Sequence, residues 1–201
     1  GKVAAQYLTA LYQLAKAAVE KEDYAEAKEL LLRAVGEYPH NLGEGKLESG
    51  QENNLYYLLG LVQEKLGEAK DAFESLTRAC CGESEPVGMM YYNDQPPEMI
   101  YYQGLAYRML GEEEQAVRRF QKLVDYGREH IRDDVKIDYF AVSLPDLLIF
   151  EENLNERNRK HCLFMMSLGL KGLGRIDEAE KCAEELLAMD NAHQEIRVHD
   201  L

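Results

Sequence analysis

Apolar and small residues recur along this chain at the spacing that pairs of antiparallel helices require. The clearest stretch is 100–124, IYYQGLAYRMLGEEEQAVRRFQKLV. Gly104 and Ala116 stand where two helices must approach closely, Tyr107 and Phe120 fill the space around them, and Gly111 marks the joint. From Gly104, the positions 7, 12, 16 and 19 residues on are Gly111, Ala116, Phe120 and Leu123. The same steps from Gly60 reach Gly67, Ala72, Leu76 and Ala79, and from Ser167 they reach Gly174, Ala179, Ala183 and Leu186. From Ala15 they reach Glu22, Ala27, Leu31 and Ala34, with Glu22 the one charged exception. A five-point template kept over four copies is a repeat.

The pattern predicts helices over about 4–21, 24–38, 53–66, 68–81, 97–110, 112–128, 157–173 and 176–189. Asp23 is placed to cap the second helix, which is expected to stop at Pro39. Between the repeats lie extra residues. The alanines marking the second helices, Ala27, Ala72, Ala116 and Ala179, are 45, 44 and 63 apart. Against a period of about 34 these gaps carry roughly 11, 10 and 29 additional residues. The third insertion is too apolar for a solvated loop, with Val135, Ile137, Phe140, Leu147 and Phe150 among its residues. Pro145 suits a first helical turn and Asp146 the positive end of a helix, so a short separate helix is expected near 145–154. A polar tail is expected from Ala192 to Leu201.

The spacing resembles the tetratricopeptide repeat, a helix-turn-helix unit of about 34 residues. The resemblance implies an all-α fold, a right-handed α-solenoid of about four helical hairpins with an extra helical insertion before the last. Residues 1–201 are read as one such domain. Its repeats fall at about 8–41, 53–86, 97–130 and 160–193, and its insertions at 42–52, 87–96 and 131–159.

In stacked hairpins of this kind the first helices line an inner surface. Three residues before the small position come Tyr12, Tyr57, Tyr101 and Phe164, an aromatic in every repeat. One residue after it come Lys16, Leu61, Leu105 and Leu168. The candidate binding residues are therefore the rings of Tyr12, Tyr57, Tyr101, Tyr102 and Phe164, with Asn54 and Arg108 as polar contacts. Tetratricopeptide domains that grip a peptide carboxylate use lysine and asparagine at these inner positions, and this chain departs from that pattern. Two readings of the aromatic row stay open. It is either a surface for an extended peptide or a sugar, since rings give large contact area at low entropic cost, or it is core covered by 131–159.

Composition narrows the partner. With 46% apolar and 30% charged residues in 201, the chain is long enough and apolar enough to fold. Its net charge of −14 argues against nucleic acid, whose phosphates are held by lysine and arginine, and favours neutral or basic partners. No stretch approaches the roughly 20 apolar residues that span a bilayer, so no membrane partner is expected. Gly1 reads as a cloning remnant and the chain opens mid-helix, so the lack of a signal peptide carries no weight.

Cys80, Cys81, Cys162 and Cys182 lack metal-ligand spacing and read as structural thiols of a cytoplasmic protein. His40, His130, His161, His193 and His199 are scattered, no two at i, i+4 on one helix. No phosphate-cradling glycine loop is present, since GEGK at 43–46 lacks the nucleotide spacing. No enzyme, cofactor or metal is expected.

Three non-repeat stretches carry a narrower resemblance: NLGEGKLESGQEN (41–53), YYNDQPPEMIYYQGLA (91–106) and KIDYFAVSLPDLLIFEENLNERNRKH (136–161). Together they resemble the C-terminal tetratricopeptide region of a bacterial family of unknown function. In that family the repeats follow a β-sandwich domain similar to galactose mutarotases. The resemblance implies a fragment from which the sugar-handling domain is absent, and the expected partner is a protein or peptide or that N-terminal domain itself. The expected function is thus a non-catalytic protein-interaction or scaffold module using a concave aromatic groove. The alternative is an accessory domain that docks on the β-sandwich and shapes a sugar site.

Overall fold

The structure is a computed structural model, and it describes residues 2–41, 52–88, 96–135 and 144–189. Among these residues there are eight helices and no strand, so the fold is all-α, in tetratricopeptide-type helical hairpins. The hairpins are α1 (Lys2–Glu20) with α2 (Tyr24–Asn41), α3 (Asn53–Lys65) with α4 (Ala69–Ala79), α5 (Pro97–Met109) with α6 (Glu113–His130), and α7 (Leu144–Gly172) with α8 (Ile176–Met189). Most of the insertions at 42–52 and 87–96, the stretch 136–143 and the tail from Ala192 lie outside the described residues.

Each hairpin turns in the same way. The residue at the joint has a positive φ: 59° at Glu22, 79° at Gly67, 80° at Gly111 and 79° at Gly174. Its N–H bonds to the carbonyl three residues back, and the next N–H bonds to the carbonyl five residues back. Gly111 thus donates to Arg108, and Glu112 to Tyr107. The same pair of bonds closes all four turns at 2.8 to 3.1 Å and satisfies carbonyls that a helix end would leave without partners. Glycine takes this left-handed conformation without a steric penalty, which is why three repeats carry it. The first repeat puts Glu22 there and bears the strain. Asp23 caps α2 as expected, its Oδ1 accepting from Glu26 N at 3.2 Å.

The template positions are the core. Ala15, Ala27, Leu31, Ala34, Ala72, Leu76, Ala79, Ala116, Phe120, Leu123, Ala179 and Leu186 are all buried, while the four joint residues are exposed. Full burial of a side chain such as Leu31 or Phe120 contributes about 1.5–3 kcal/mol. Ala183 is half-buried, so the fourth copy is looser at that point.

Two boundaries differ from expectation. The second helix passes Pro39 and ends at Asn41. A proline there lacks the N–H for the bond to the carbonyl four residues back, and the last turn continues past it without that bond. The short helix expected near 145–154 and the helix expected at 157–173 are one helix, the 29-residue α7. No glycine or proline lies between Pro145 and Gly169 to interrupt it.

Internal packing groups the chain into two compact units. Unit 1 comprises Gly1–Ser84 and Tyr102–Ala116, and unit 2 comprises Glu85–Tyr101 and Val117–Leu201. In unit 1, α1 packs on α2, α2 on α3 and α3 on α4. Lys28 of α2 reaches Glu68 at the start of the next second helix, 2.6 Å away. In unit 2, α7 packs on α8 and also lies close against α6. A Cβ on Gly169 would sit 2.5 Å from the Phe120 carbonyl oxygen, and one on Gly172 would overlap the Phe120 ring. Gly127 of α6 returns the contact, facing Met166 and the Cys162 carbonyl.

Candidate functional site

The candidate aromatic residues separate by burial. Tyr12, Tyr101, Tyr102 and Phe164 are 2%, 4%, 0% and 4% exposed, so they are core side chains and do not line an open surface. This corrects the open-row reading at those four positions. The cause is visible in the ring contacts made from the first helices. In unit 1, the Tyr12 and Tyr102 hydroxyls are 2.7 Å apart and their rings meet edge-on at 6.3 Å. Tyr57 leans on Tyr102 at 5.7 Å between ring centroids. In unit 2, Tyr101 packs on Phe120 at 5.8 Å. A ring at an inner-face position finds a ring on its neighbour, and the pair excludes water from both.

Three candidates keep access to solvent, all in unit 1. Tyr57 and Asn54 are half-buried on α3, three residues apart and hence on one face, and Arg108 is exposed on α5. Burial raises the Tyr57 phenol above its ordinary value, and the charge of Arg108 partly offsets that rise, which places the guanidinium within electrostatic reach of the ring. Arg108 is oriented from the hairpin joint by Glu113. Its Nη2 donates to Oε1 at 2.8 Å, and its Nε donates to Oε2 at 3.0 Å. The hydrogen bond from Arg108 holds the Glu113 carboxyl below its ordinary range. Leu61, four residues after Tyr57, and Leu105, three after Tyr102, are half-buried and extend the same faces. These side chains comprise a supported ring, a cation held by Glu113, an amide and two leucines.

Sequence reading missed the polar residues that hold this frame. Asn53 Nδ2 donates to the carbonyls of Ala79 at 2.7 Å and Cys81 at 2.6 Å. Gln103 Nε2 donates to Cys81 at 3.1 Å and Glu83 at 3.0 Å. Two buried amides therefore fix the C-terminal end of α4. A signal existed: Gln103 stands one residue before the small position, where the other repeats have Leu14, Leu59 and Met166.

A second polar group lies in unit 2. Tyr126 stacks on His130 at 4.3 Å and meets His161 edge-on at 6.4 Å. His161 Nε2 is 3.0 Å from the Val87 carbonyl, and because a carbonyl only accepts, that nitrogen carries the proton. His130 Nδ1 lies 2.6 Å from Asp133 Oδ2, and Asn158 Nδ2 donates to the His130 carbonyl at 2.8 Å. These contacts tie the end of α6 to α7.

Reactive chemistry finds little support in these side chains. Cys80, Cys81, Cys162 and Cys182 are thiols. Cys162 is pushed up to about 12, first by burial and then by the Asp133 charge, the opposite of an activated nucleophile. Among the described residues no group of three or more His, Cys, Asp or Glu side chains is placed to hold a metal ion. No helix among them is long and apolar enough to cross a membrane.

Comparison with protein families agrees with the geometry of the hairpins. Residues 12–86 match one tetratricopeptide repeat model and residues 98–126 match a second. Repeats of this type generally mediate protein–protein interaction or scaffolding, and the family is generally non-catalytic. With the same turn, the same buried small residues and both matches in hand, the chain is a tetratricopeptide repeat protein.

Proposed function

We propose that this chain is a non-catalytic interaction module that holds an extended segment of a protein partner. Asn54, Tyr57 and Arg108 make the contact. The observation that carries this reading is the arrangement around Tyr57. Its side chain is largely buried but keeps some access to solvent, is backed by the buried Tyr12–Tyr102 pair, and is flanked by a guanidinium that Glu113 holds in place. An aromatic that is already ordered loses little entropy on binding, and aromatic and arginine side chains dominate interface energetics. Tyr12 and Tyr102 support the contact from beneath, and Tyr101 and Phe164 hold the corresponding helices of unit 2. In this reading the repeats at about 8–41, 53–86, 97–130 and 160–193 act as one domain. The charge of −14 favours neutral or basic partner segments. The four thiols fit a reducing compartment such as the cytoplasm.

Selection from a random peptide library against the intact chain, followed by titration, tests the proposal. Tyr57→Ala and Arg108→Ala should each weaken selected peptides by about tenfold or more, equivalent to about 1.4 kcal/mol, while leaving the fold intact. Equal binding by wild type and both variants would remove this surface from the function.

A further inference from the structure

Two adjacent thiols lie at the end of α4, beside the packing that supports Tyr57. Cys80 is half-buried, Cys81 is exposed, and neither is bridged. The Cys80 side chain packs with Tyr56, Tyr57, Met109 and Leu110 against the core of Leu76, Ala79 and Ala106. The Cys81 Sγ rests on the Thr77 carbonyl at 3.5 Å. Arg78 is held nearby, its Nη1 donating to the Tyr56 hydroxyl at 3.3 Å and its guanidinium lying over the Tyr56 ring. The bond to Tyr56 first, and among the nearby charges that of Cys81, raise Arg78 above its ordinary value, so cation and thiol are within electrostatic reach. An anionic molecule that approaches the Cys81 sulfur therefore meets a cation.

The backbone of the same pair is a structural junction. Cys81 N donates to the Arg78 carbonyl at 3.1 Å. The Cys81 carbonyl accepts from Asn53 of α3 at 2.6 Å and from Gln103 of α5 at 3.1 Å, and these two side chains are 5% and 0% exposed. A bond between the two sulfurs is incompatible with that arrangement. Neighbouring Cα atoms are about 3.8 Å apart across a trans peptide, whereas a disulfide ordinarily spans about 4.4–6.8 Å between Cα atoms. Closing the bond must turn the 80–81 peptide out of its helix-end geometry. That movement takes the Cys81 N–H off Arg78 and its carbonyl off the two amides. A strained bond of this kind is easily reduced, so the change reverses.

We propose that Cys80 and Cys81 form a thiol–disulfide exchange site for small disulfides that carry carboxylates, such as glutathione disulfide, and that closing the pair unlocks α3 and α5 from the end of α4. The Cys81 thiolate attacks one sulfur of the incoming disulfide, expels one thiol and becomes a mixed disulfide. The Cys80 thiolate then attacks the Cys81 sulfur and expels the second thiol. Two electrons pass from the pair to the small disulfide, and the two protons leave with the released thiols. Transient disulfides of this sort are the redox-sensing kind in reducing compartments. The effect on partner binding rests on the contact reading above, while the exchange and the unlocking do not.

The intact chain treated with glutathione disulfide and then digested with trypsin tests the chemistry. Residues 79–108 hold both thiols, no other cysteine, and no lysine or arginine before Arg108. This fragment should lose two hydrogens and carry no glutathione. The melting temperature of the intact chain should fall by about 4 °C or more and recover on reduction. Cys80→Ser should stop at the glutathione adduct on Cys81, and Cys81→Ser should show neither closure nor the fall. Arg78→Ala should slow closure by glutathione disulfide about threefold or more and leave closure by neutral hydroxyethyl disulfide unchanged. Equal slowing of both would overturn the assigned substrate class. A wild-type fragment that ends as the adduct, or one that closes without lowering the melt, would overturn the inference. Peptides selected against the reduced chain should bind the oxidised chain about tenfold more weakly. Unchanged affinity beside a lowered melt would overturn the control of binding, whereas Tyr57→Ala binding like wild type would overturn the contact reading itself.

Discussion

The hydroxyls of Tyr12 and Tyr102 meet at 2.7 Å although the residues are 90 apart in the chain, and both side chains are buried. The bond links the first helix of one hairpin to the first helix two hairpins on. Tyr12→Phe and Tyr102→Phe should each cost about 1 kcal/mol in urea unfolding, with a coupling of similar size in the double variant. Additive losses would mean the two hydroxyls are satisfied independently.

Glu22 occupies a turn position at φ 59° that three repeats give to glycine. A side chain in the left-handed region costs roughly 1–2 kcal/mol, and glycine returns part of that as unfolded-state entropy. Glu22→Gly should therefore stabilise the protein by about 0.5–1 kcal/mol. Gly111→Ala should lose about 1 kcal/mol for the converse reason. Thermal melts of the two variants should move in opposite directions.

Two glycines inside helices should respond in opposite senses to alanine. A Cβ at Gly36 of α2 meets nothing within 4 Å, so Gly36→Ala should gain up to about 1 kcal/mol of helix propensity. At Gly169 the new methyl would press on a backbone carbonyl that cannot swing away. Gly169→Ala should cost about 1–3 kcal/mol by overpacking. Denaturant midpoints of the pair decide the matter, and a stabilised Gly169→Ala would show that α6 and α7 can part.

The two amides at the end of α4 share one acceptor, the Cys81 carbonyl. Asn53→Ala should cost about 1–3 kcal/mol, since it also strips the Ala79 carbonyl of this donor. Combined with Gln103→Ala, the loss should exceed the sum of the two single losses, because the first substitution leaves Cys81 one donor and the second removes it.

Cys162 gives a test at high pH. Its thiol ordinarily ionises near 9.0 and in the folded protein is raised to about 12 by burial and by Asp133. The folded state thus holds the proton more tightly than the unfolded chain. This contribution is intact below about 9 and is lost as the pH rises towards 12, with a limiting slope of about 1.4 kcal/mol per pH unit. Burial raises Tyr57 and Tyr126 too, adding loss of the same sign at the alkaline end. Unfolding midpoints across that range should fall, and less steeply in Cys162→Ala. Native alkylation should label the exposed Cys81 and spare Cys162.

The hairpins were legible in the sequence because close helix approach and a left-handed turn each demand particular residues, and those demands recur at fixed spacing. Gly67, Gly111 and Gly174 are read as turns from the sequence and are turns. The fate of the aromatic row was not legible. Helical spacing puts Tyr12 and Tyr101 on an inner face, but it says nothing of the rings that meet them there. The continuity of α7 was hidden for a related reason. Polar residues near 155–158 look like a break, yet they are ties. Asn155 Oδ1 accepts from Val135 N at 2.7 Å, and Asn158 reaches the end of α6. Tyr57 is a candidate by register and Arg108 is named with it as a polar contact, whereas the Glu113 partner that orients the cation required three dimensions.

The 29 residues of α7 make a rod about 43 Å long. Its C-terminal half is pinned by Gly169 and Gly172 against Phe120. The fastening continues back along the rod, where Gly127 closes on Cys162 and Met166 and Asn158 holds the His130 carbonyl. From Asn158 to Gly172 α7 therefore acts as a splint for α6. To bend one helix against the other would mean breaking several of these contacts at once.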